Sequence, residues 1–155
     1  MKKVLLVSDS HGRFSRLEKL SNKYRNQVDL LLHAGDSETS EEHLYNFISV
    51  SGNNDYYSNY PEERVFTIGN FKILLTHGHR YFYHSIEKQL VTKAKTLGCD
   101  IVCFGHTHKI VNVTIDGVRL LNPGSLNYNR DGNPLSYMLI HLSEVDIDVE
   151  IIPYK

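Results

Sequence analysis

Apolar positions along this chain come in short runs, broken by polar clusters and by two longer amphipathic stretches. Val4-Leu5-Leu6-Val7 is continuous, as in a strand buried on both faces. From Phe14 the period lengthens: Phe14, Leu17, Leu20 and Tyr24 share one helical face, and Arg16, Lys19 and Lys23 the other. Asp29-Leu30-Leu31-Leu32-His33-Ala34 reads as the next strand and stops at Gly35-Asp36. Glu41 to Phe47 reads as a short helix, and a weak strand from Phe47 to Val50 runs into Ser51-Gly52-Asn53-Asn54-Asp55. This strand, helix, strand alternation predicts parallel strands joined by crossover helices.

The pattern then changes. Val65 to Ile68 and Phe71 to Leu75 flank Gly69-Asn70, a two-residue hairpin signal, and the second arm ends in Thr76-His77-Gly78-His79. A second helix puts Ile86, Leu90, Ala94 and Leu97 on its inner face, with Gly98 as its C-terminal cap. Ile101 to Phe104 is a strand that stops at Gly105-His106-Thr107-His108. Ile110 to Ile115 and Val118 to Leu121 flank Asp116-Gly117, another hairpin signal, and Asn122-Pro123-Gly124-Ser125 closes that arm in a turn. Tyr137 to Leu142 and Val145 to Ile152 alternate as antiparallel strands with one wet face. No linker, repeat or low-complexity segment interrupts the pattern, so residues 1–155 read as a single domain.

Composition narrows the function classes. Hydrophobic content of 41% and charged content of 23% are ordinary for a soluble globular protein. A net charge of -1, with nine histidines neutral, gives no global basic field and no strong nucleic-acid signal. No apolar run approaches the roughly 18 residues of a spanning helix, so no membrane partner is expected. Val4 to Val7 is too short for the apolar core of a signal peptide. Cys99 and Cys103 lack the partner pair of a zinc knuckle and read as reduced, packed thiols. These features together suggest a cytoplasmic location.

The chemistry sits at the strand ends. Asp9 and His11 follow the first strand, Asp36 the second and Asn53 the third; His77 follows a hairpin arm, and His106 with His108 follow the next strand. In open α/β sheets the carboxyl ends of strands share one crevice, so these side chains can converge. If the chain stays extended past Gly105, His106 and His108 project to the same side, and Asp9 and His11 share that spacing. Two carboxylates, four imidazoles and one amide, with no thiolate, suit Mn, Fe, Zn, Co or Ni better than Ca. They exceed what one tetrahedral ion needs, which implies two ions with a carboxylate such as Asp36 between them. His33, His43, His84 and His141 lie outside these motifs and read as core or surface residues.

The order Asp9-Ser10-His11, Gly35-Asp36, Gly52-Asn53, His77, Gly105-His106-Thr107-His108 resembles the signature of the calcineurin-like metallophosphoesterases over nearly the whole chain. Thr76-His77-Gly78-His79, Asn122-Pro123-Gly124-Ser125 and the short length are similar to that family's minimal one-domain phosphodiesterase branch. The resemblance implies an α/β fold, a four-layer α-β-β-α sandwich with two mixed β-sheets. It implies that Asp9, His11, Asp36 and His108 hold one metal, and Asp36, Asn53, His77 and His106 the other, with Asp36 bridging. The cofactors would be two divalent transition-metal ions, manganese first, with iron, nickel, cobalt or zinc as alternatives. Hydroxide activated between the two metals would attack a small phosphodiester in line.

Two departures stand out. Ser37-Glu38-Thr39 replaces the Asp-Arg-Gly of many relatives, and Asn54 occupies the place of a histidine thought to protonate the leaving group. His79, beside a ligand, is the first candidate for an added phosphate contact, ahead of Arg13, Arg80 and Lys109. Asn54 and His79 are therefore the catalytic candidates. The expected partner is a small phosphate-ester substrate, and a homo-oligomer is left open. The alternatives are a non-catalytic protein-binding scaffold of the same fold, as in the retromer subunit, or a nuclease. The chain lacks the basic stretches that grip a polymer.

Overall fold

The computed structural model describes residues 1–56 and 58–155. Its elements in chain order are β1 (Lys2–Val7), α1 (Phe14–Tyr24), β2 (Leu30–His33), β3 (Ile48–Ser49), β4 (Glu63–Ile68), β5 (Phe71–Thr76), α2 (Ile86–Leu97), β6 (Ile101–Cys103), β7 (Ile110–Ile115), β8 (Val118–Pro123), β9 (Ser136–Leu142) and β10 (Ile147–Pro153). They form two mixed five-stranded sheets, ordered β10-β9-β1-β2-β3 and β4-β5-β6-β8-β7. β1, β2 and β3 are parallel, as are β5, β6 and β8, while β9, β10, β4 and β7 join antiparallel.

The continuous apolar runs have a direct consequence. Alternate residues of one strand face opposite layers, and both layers are dry. Val4 and Leu6 pack with Leu32, Ile73, Leu75, Ile101 and Leu121 between the two sheets. Leu5 and Val7 turn the other way, onto Leu17, Leu20 and Tyr24 of α1. In the second sheet, Leu74, Val102 and Leu120 meet Ile86, Leu90 and Ala94 of α2. The result is four layers, helix on sheet on sheet on helix. Each inner strand buries both faces, which is why β1 and β6 carry no polar residue along their buried lengths.

Local signals hold at the turns. Ile115 pairs with Val118 across Asp116 (φ 49°) and Gly117 (φ 82°), the double positive φ of a primed hairpin turn. Gly98 caps α2 in the left-handed region at φ 70°. Three expectations need correction. The helix expected over Glu41 to Phe47 is a single 3₁₀ turn, Glu41–His43, because Tyr45 (φ 49°) and Asn46 (φ 74°) turn left-handed. Phe14 is not on the inner face of α1; it is 41% exposed and stacks on the His43 ring with centroids 4.4 Å apart. The arm expected to turn at Asn122 continues as strand through Pro123. Cys99 and Cys103 are buried and free, and burial pushes the Cys103 thiol up to about 12.

Candidate metal centre

The parallel strands of both sheets deliver their carboxyl ends to one edge, where five loops are bonded together by their backbones. The Asp9 amide donates to the Gly35 carbonyl (3.0 Å) and the His11 amide to that of Asp36 (3.0 Å). The Gly105 amide donates to the His77 carbonyl (3.1 Å), tying the second sheet's loops together. These loops are tightly wound. Asp9, His11, Asp36, Glu38, His106 and His108 have φ between 44° and 69°, and account for six of the nine described non-glycine residues with positive φ. L-residues rarely adopt this region, and such conformations gather at functional sites.

That conformation overturns the extended strand end expected for His106 and His108. Positive φ at both residues rotates the two rings apart. His108 Nε2 lies 3.3 Å from Asp9 Oδ1 and 3.2 Å from His11 Nε2. The His106 ring instead sits against Asn53 (Nδ1 to Oδ1, 3.2 Å) and the His77 ring (centroids 5.1 Å apart). Asp9 and His11 do converge, with Nε2 to Oδ1 3.7 Å, but through a turn.

The seven strand-end residues form one cluster. His77 Nε2 is 3.3 Å from Asp36 Oδ2, 3.0 Å from Asn53 Oδ1 and 3.8 Å from Asp9 Oδ1. His11 Nε2 is 3.9 Å from Asp36 Oδ2. Asp9, His11 and His108 form one group whose ligand atoms lie within 4.8 Å of one another, and Asp9, Asp36 and His77 a second. Asp9 is therefore common to the two groups, and Asp36 of the second lies 3.9 Å from His11 of the first.

The donor atoms fit cations. His11 Nδ1 donates to Glu38 Oε1 (3.0 Å) and His108 Nδ1 to the Tyr128 carbonyl (2.8 Å). Both partners can only accept, so in the neutral rings each Nε2 presents a lone pair, and the two face each other. His77 Nδ1 likewise donates to the Ala34 carbonyl (2.8 Å), and its Nε2 faces the Asp36 carboxylate and the Asn53 amide oxygen. Asp9 Oδ1 is buried without a hydrogen-bond partner among the described residues. The His11 and His108 lone pairs and Asp9 Oδ1 thus converge with no donor between them among the described residues, an arrangement that needs positive charge.

Titration follows the same geometry. Burial alone would lower the His77 imidazole, but its hydrogen bond to Asp36 and the charges of Asp9 and Asp36 outweigh that and raise it to about 9. Burial would raise both carboxylates. Asp9, with the His108 and His77 imidazoles 3.3 and 3.8 Å from its Oδ1, is nevertheless held below the usual range, as is Asp36, bonded to His77 and Asn54.

Several supporting residues escaped the sequence reading. His33 is fully buried; its Nδ1 accepts the Gly35 amide (3.1 Å) and its Nε2 donates to Ser10 Oγ (2.9 Å). Burial lowers that imidazole to about 4, keeping it neutral. Asp55 accepts the amides of Asp36 (2.8 Å), Glu38 (2.8 Å) and Gly52 (2.7 Å). Ser125 Oγ donates to the Asp9 carbonyl (2.7 Å), and Asn122 Nδ2 to the Gly105 carbonyl (3.0 Å). Asn122-Pro123-Gly124-Ser125 was visible as a motif, but nothing in its spacing says which loop it braces.

The catalytic candidates also lie here. The Asn54 amide and side chain both donate to Asp36, at 2.8 and 3.0 Å. His79 sits beside His77 (centroids 5.4 Å apart), its Nδ1 buried without a partner among the described residues, and burial lowers its imidazole. The candidate cations are engaged elsewhere: Arg13 with Asn127, Arg80 with Glu62, and Lys109 over the Tyr83 ring.

Residues 1–145 match the calcineurin-like phosphoesterase superfamily domain. The chain belongs to that family. It is 37% identical over 144 residues to a probable metallophosphoesterase of Bacillus subtilis, covering 90% of this chain and 83% of that protein. Among solved structures, a predicted phosphoesterase of Streptococcus pneumoniae superposes with a TM-score of 0.93 at 28% identity, over 99% of this chain and 90% of that one. The zinc complex of Vps29 from Entamoeba histolytica superposes at 0.72 with 25% identity, over 99% of both chains. For this family member, membership supports a phosphoric ester hydrolase that uses divalent metal ions. The clustered Asp and His side chains supply a group able to hold them.

Proposed function

We propose that this calcineurin-like phosphoesterase is a phosphodiesterase acting on small phosphodiesters in the cytoplasm. In this reading it uses two divalent ions, with manganese the first candidate. Asp9, His11, Asp36 and His108 hold one ion, and Asp36, Asn53, His77 and His106 the other. The observation that supports this best is the unpartnered, buried Asp9 Oδ1 beside the facing Nε2 atoms of His11 and His108.

Bound ions would supply Lewis-acid charge against the phosphoryl oxygens and a nucleophile at neutral pH. The chain's own residues do the rest. Glu38 and the Tyr128 carbonyl fix the tautomers of His11 and His108, and the Ala34 carbonyl fixes that of His77. Asn54 holds the Asp36 carboxylate by two hydrogen bonds and offers the departing oxygen no acidic proton. His79, kept neutral by burial, is a hydrogen-bonding partner for a phosphoryl or leaving oxygen.

Chelation followed by elemental analysis and Mn²⁺ add-back tests the reading. Hydrolysis of bis(4-nitrophenyl) phosphate should vanish with the metal and return with it; full activity in metal-free protein overturns it. The Vps29 relatives, including one of Schizosaccharomyces pombe 31% identical over 161 residues, favour a protein-binding scaffold as the second reading. Metal-loaded protein that turns over no phosphoester would select it.

A further inference from the structure

Beside the centre lies a cavity of about 660 Å³, walled after β2 by Glu38 to Glu41 and after β3 by Asn54 to Tyr56 and Ser58 to Tyr60. Small-molecule sites commonly span ~300–1,000 Å³. Two wall residues also touch the centre: Asn54 through Asp36, and Glu38 through His11. A phosphoryl group on the centre would therefore extend one of its ester arms into this space.

The lining is one-sided in charge. It carries the carboxylates of Glu38, Glu41 and Asp55 together with hydroxyl, amide and phenol groups, and no Lys, Arg or His among the described residues. Asp55 is spent on backbone amides, and Glu38 keeps one oxygen for the cavity after bonding His11 through Oε1. Glu41 is exposed, and burial first, then the charge of Asp55 and then that of Glu41 raise the Tyr60 phenol, which places Glu41 near that ring. Tyr56 presents a ring that is 79% exposed, and a phenol face attracts ammonium groups as well as stacking on flat ones. A second phosphate or a carboxylate on the arm would meet Glu38 and Glu41 with no cation to offset them.

We infer that this cavity is the subsite for the organic arm of the ester, and that it selects phosphodiesters of amino alcohols over neutral ones and disfavours anionic arms. This rests on the phosphodiesterase reading and adds the substrate class.

Symmetric dialkyl phosphates make the test independent of which arm enters. Bis(2-aminoethyl), diethyl and bis(2-carboxyethyl) phosphate are titrated calorimetrically into Mn²⁺-loaded protein, so binding is read without turnover. Two exposed carboxylates should give the aminoethyl ester a roughly three- to tenfold advantage over the ethyl ester, with the carboxyethyl ester weakest. Because the centre is itself charged, the decisive comparison is Glu41→Lys against the parent protein. That variant should remove the aminoethyl advantage and raise carboxyethyl affinity well beyond any rise for diethyl phosphate, whose single charge sits on the phosphoryl group. Equal shifts for all three, no shift for any, or no binding by any overturns the inference. Hydrolysis of 4-nitrophenyl ethyl phosphate, measured separately, decides the hydrolase reading. An active enzyme without charge discrimination sinks this inference alone.

Discussion

Gly52→Ala isolates how tightly the centre is built. Gly52 does not have positive φ, so alanine is allowed by the backbone, and any effect must come from the added methyl group. That Cβ would fall on Asp36, 2.5 Å from its amide nitrogen, 2.8 Å from its Cγ, and closer still to Oδ1. Restoring an ordinary separation of about 3.5 Å requires roughly 0.7 Å of retreat at Cγ and roughly 1 Å at the amide. Neither atom is free to move: Asp55 holds the amide at 2.8 Å, and Asn54 holds the carboxylate at 2.8 and 3.0 Å. Overpacking of this kind costs about 1–3 kcal/mol, or roughly 2–12 °C in Tm for a chain of this size. A displacement near 1 Å at a reacting centre costs on the order of 10²-fold in rate. The control is Gly132→Ala, where φ is +82° and nothing lies within 4 Å. It should lose about 1–2 kcal/mol to backbone strain and keep metal binding and turnover. Calorimetric metal titration, thermal melting and nitrophenyl-ester turnover on both variants separate the two costs. Parental metal affinity and turnover in Gly52→Ala would refute the idea that Asp36 is held by this packing.

Three further outcomes are expected. Glu38→Ala frees the His11 ring and should weaken metal binding by ~10–100-fold; unchanged affinity by calorimetry would show that the contact positions nothing. In metal-free protein His77 is raised to about 9, so its charged form stabilises the fold fully below the unfolded value near 6.5. That contribution fades as pH rises through about 9, whereas metal binding near neutral pH must expel the proton. Calorimetry in buffers of different ionisation enthalpy should detect that release, and its absence removes His77 from the ligand set. General-acid help is typically worth ~10²–10⁴-fold, so with Asn54 the rate should fall steeply as leaving-group pKa rises, and Asn54→His should help alkyl esters most. A shallow dependence in the parent protein would mean that another group, such as His79, already serves as the acid.

Much of the fold was legible in one dimension. Continuous apolar runs such as Val4–Val7 announced strands dry on both faces, and the 3.6-residue spacing of Ile86, Leu90 and Ala94 announced a helix with one buried stripe. Asp116-Gly117 fixed a hairpin because two positive φ angles in succession suit few other pairs. Strand ends also marked where the centre would be, since parallel strands must expose their carboxyl ends along one edge. What the sequence could not state was direction within that edge. Side-chain alternation presumes extended backbone, and the loops leave it at Asp9, His11, Asp36, His106 and His108. His106 and His108 therefore part company, and Asp9 lies between the two groups of donors. The residues that hold these turns are remote in sequence. His33 reaches Ser10 across 23 positions, Asp55 the Asp36 amide across 19 and Ser125 the Asp9 carbonyl across 116. Their side chains carry no periodic signal, because the partners that fix them come within reach only in the folded chain.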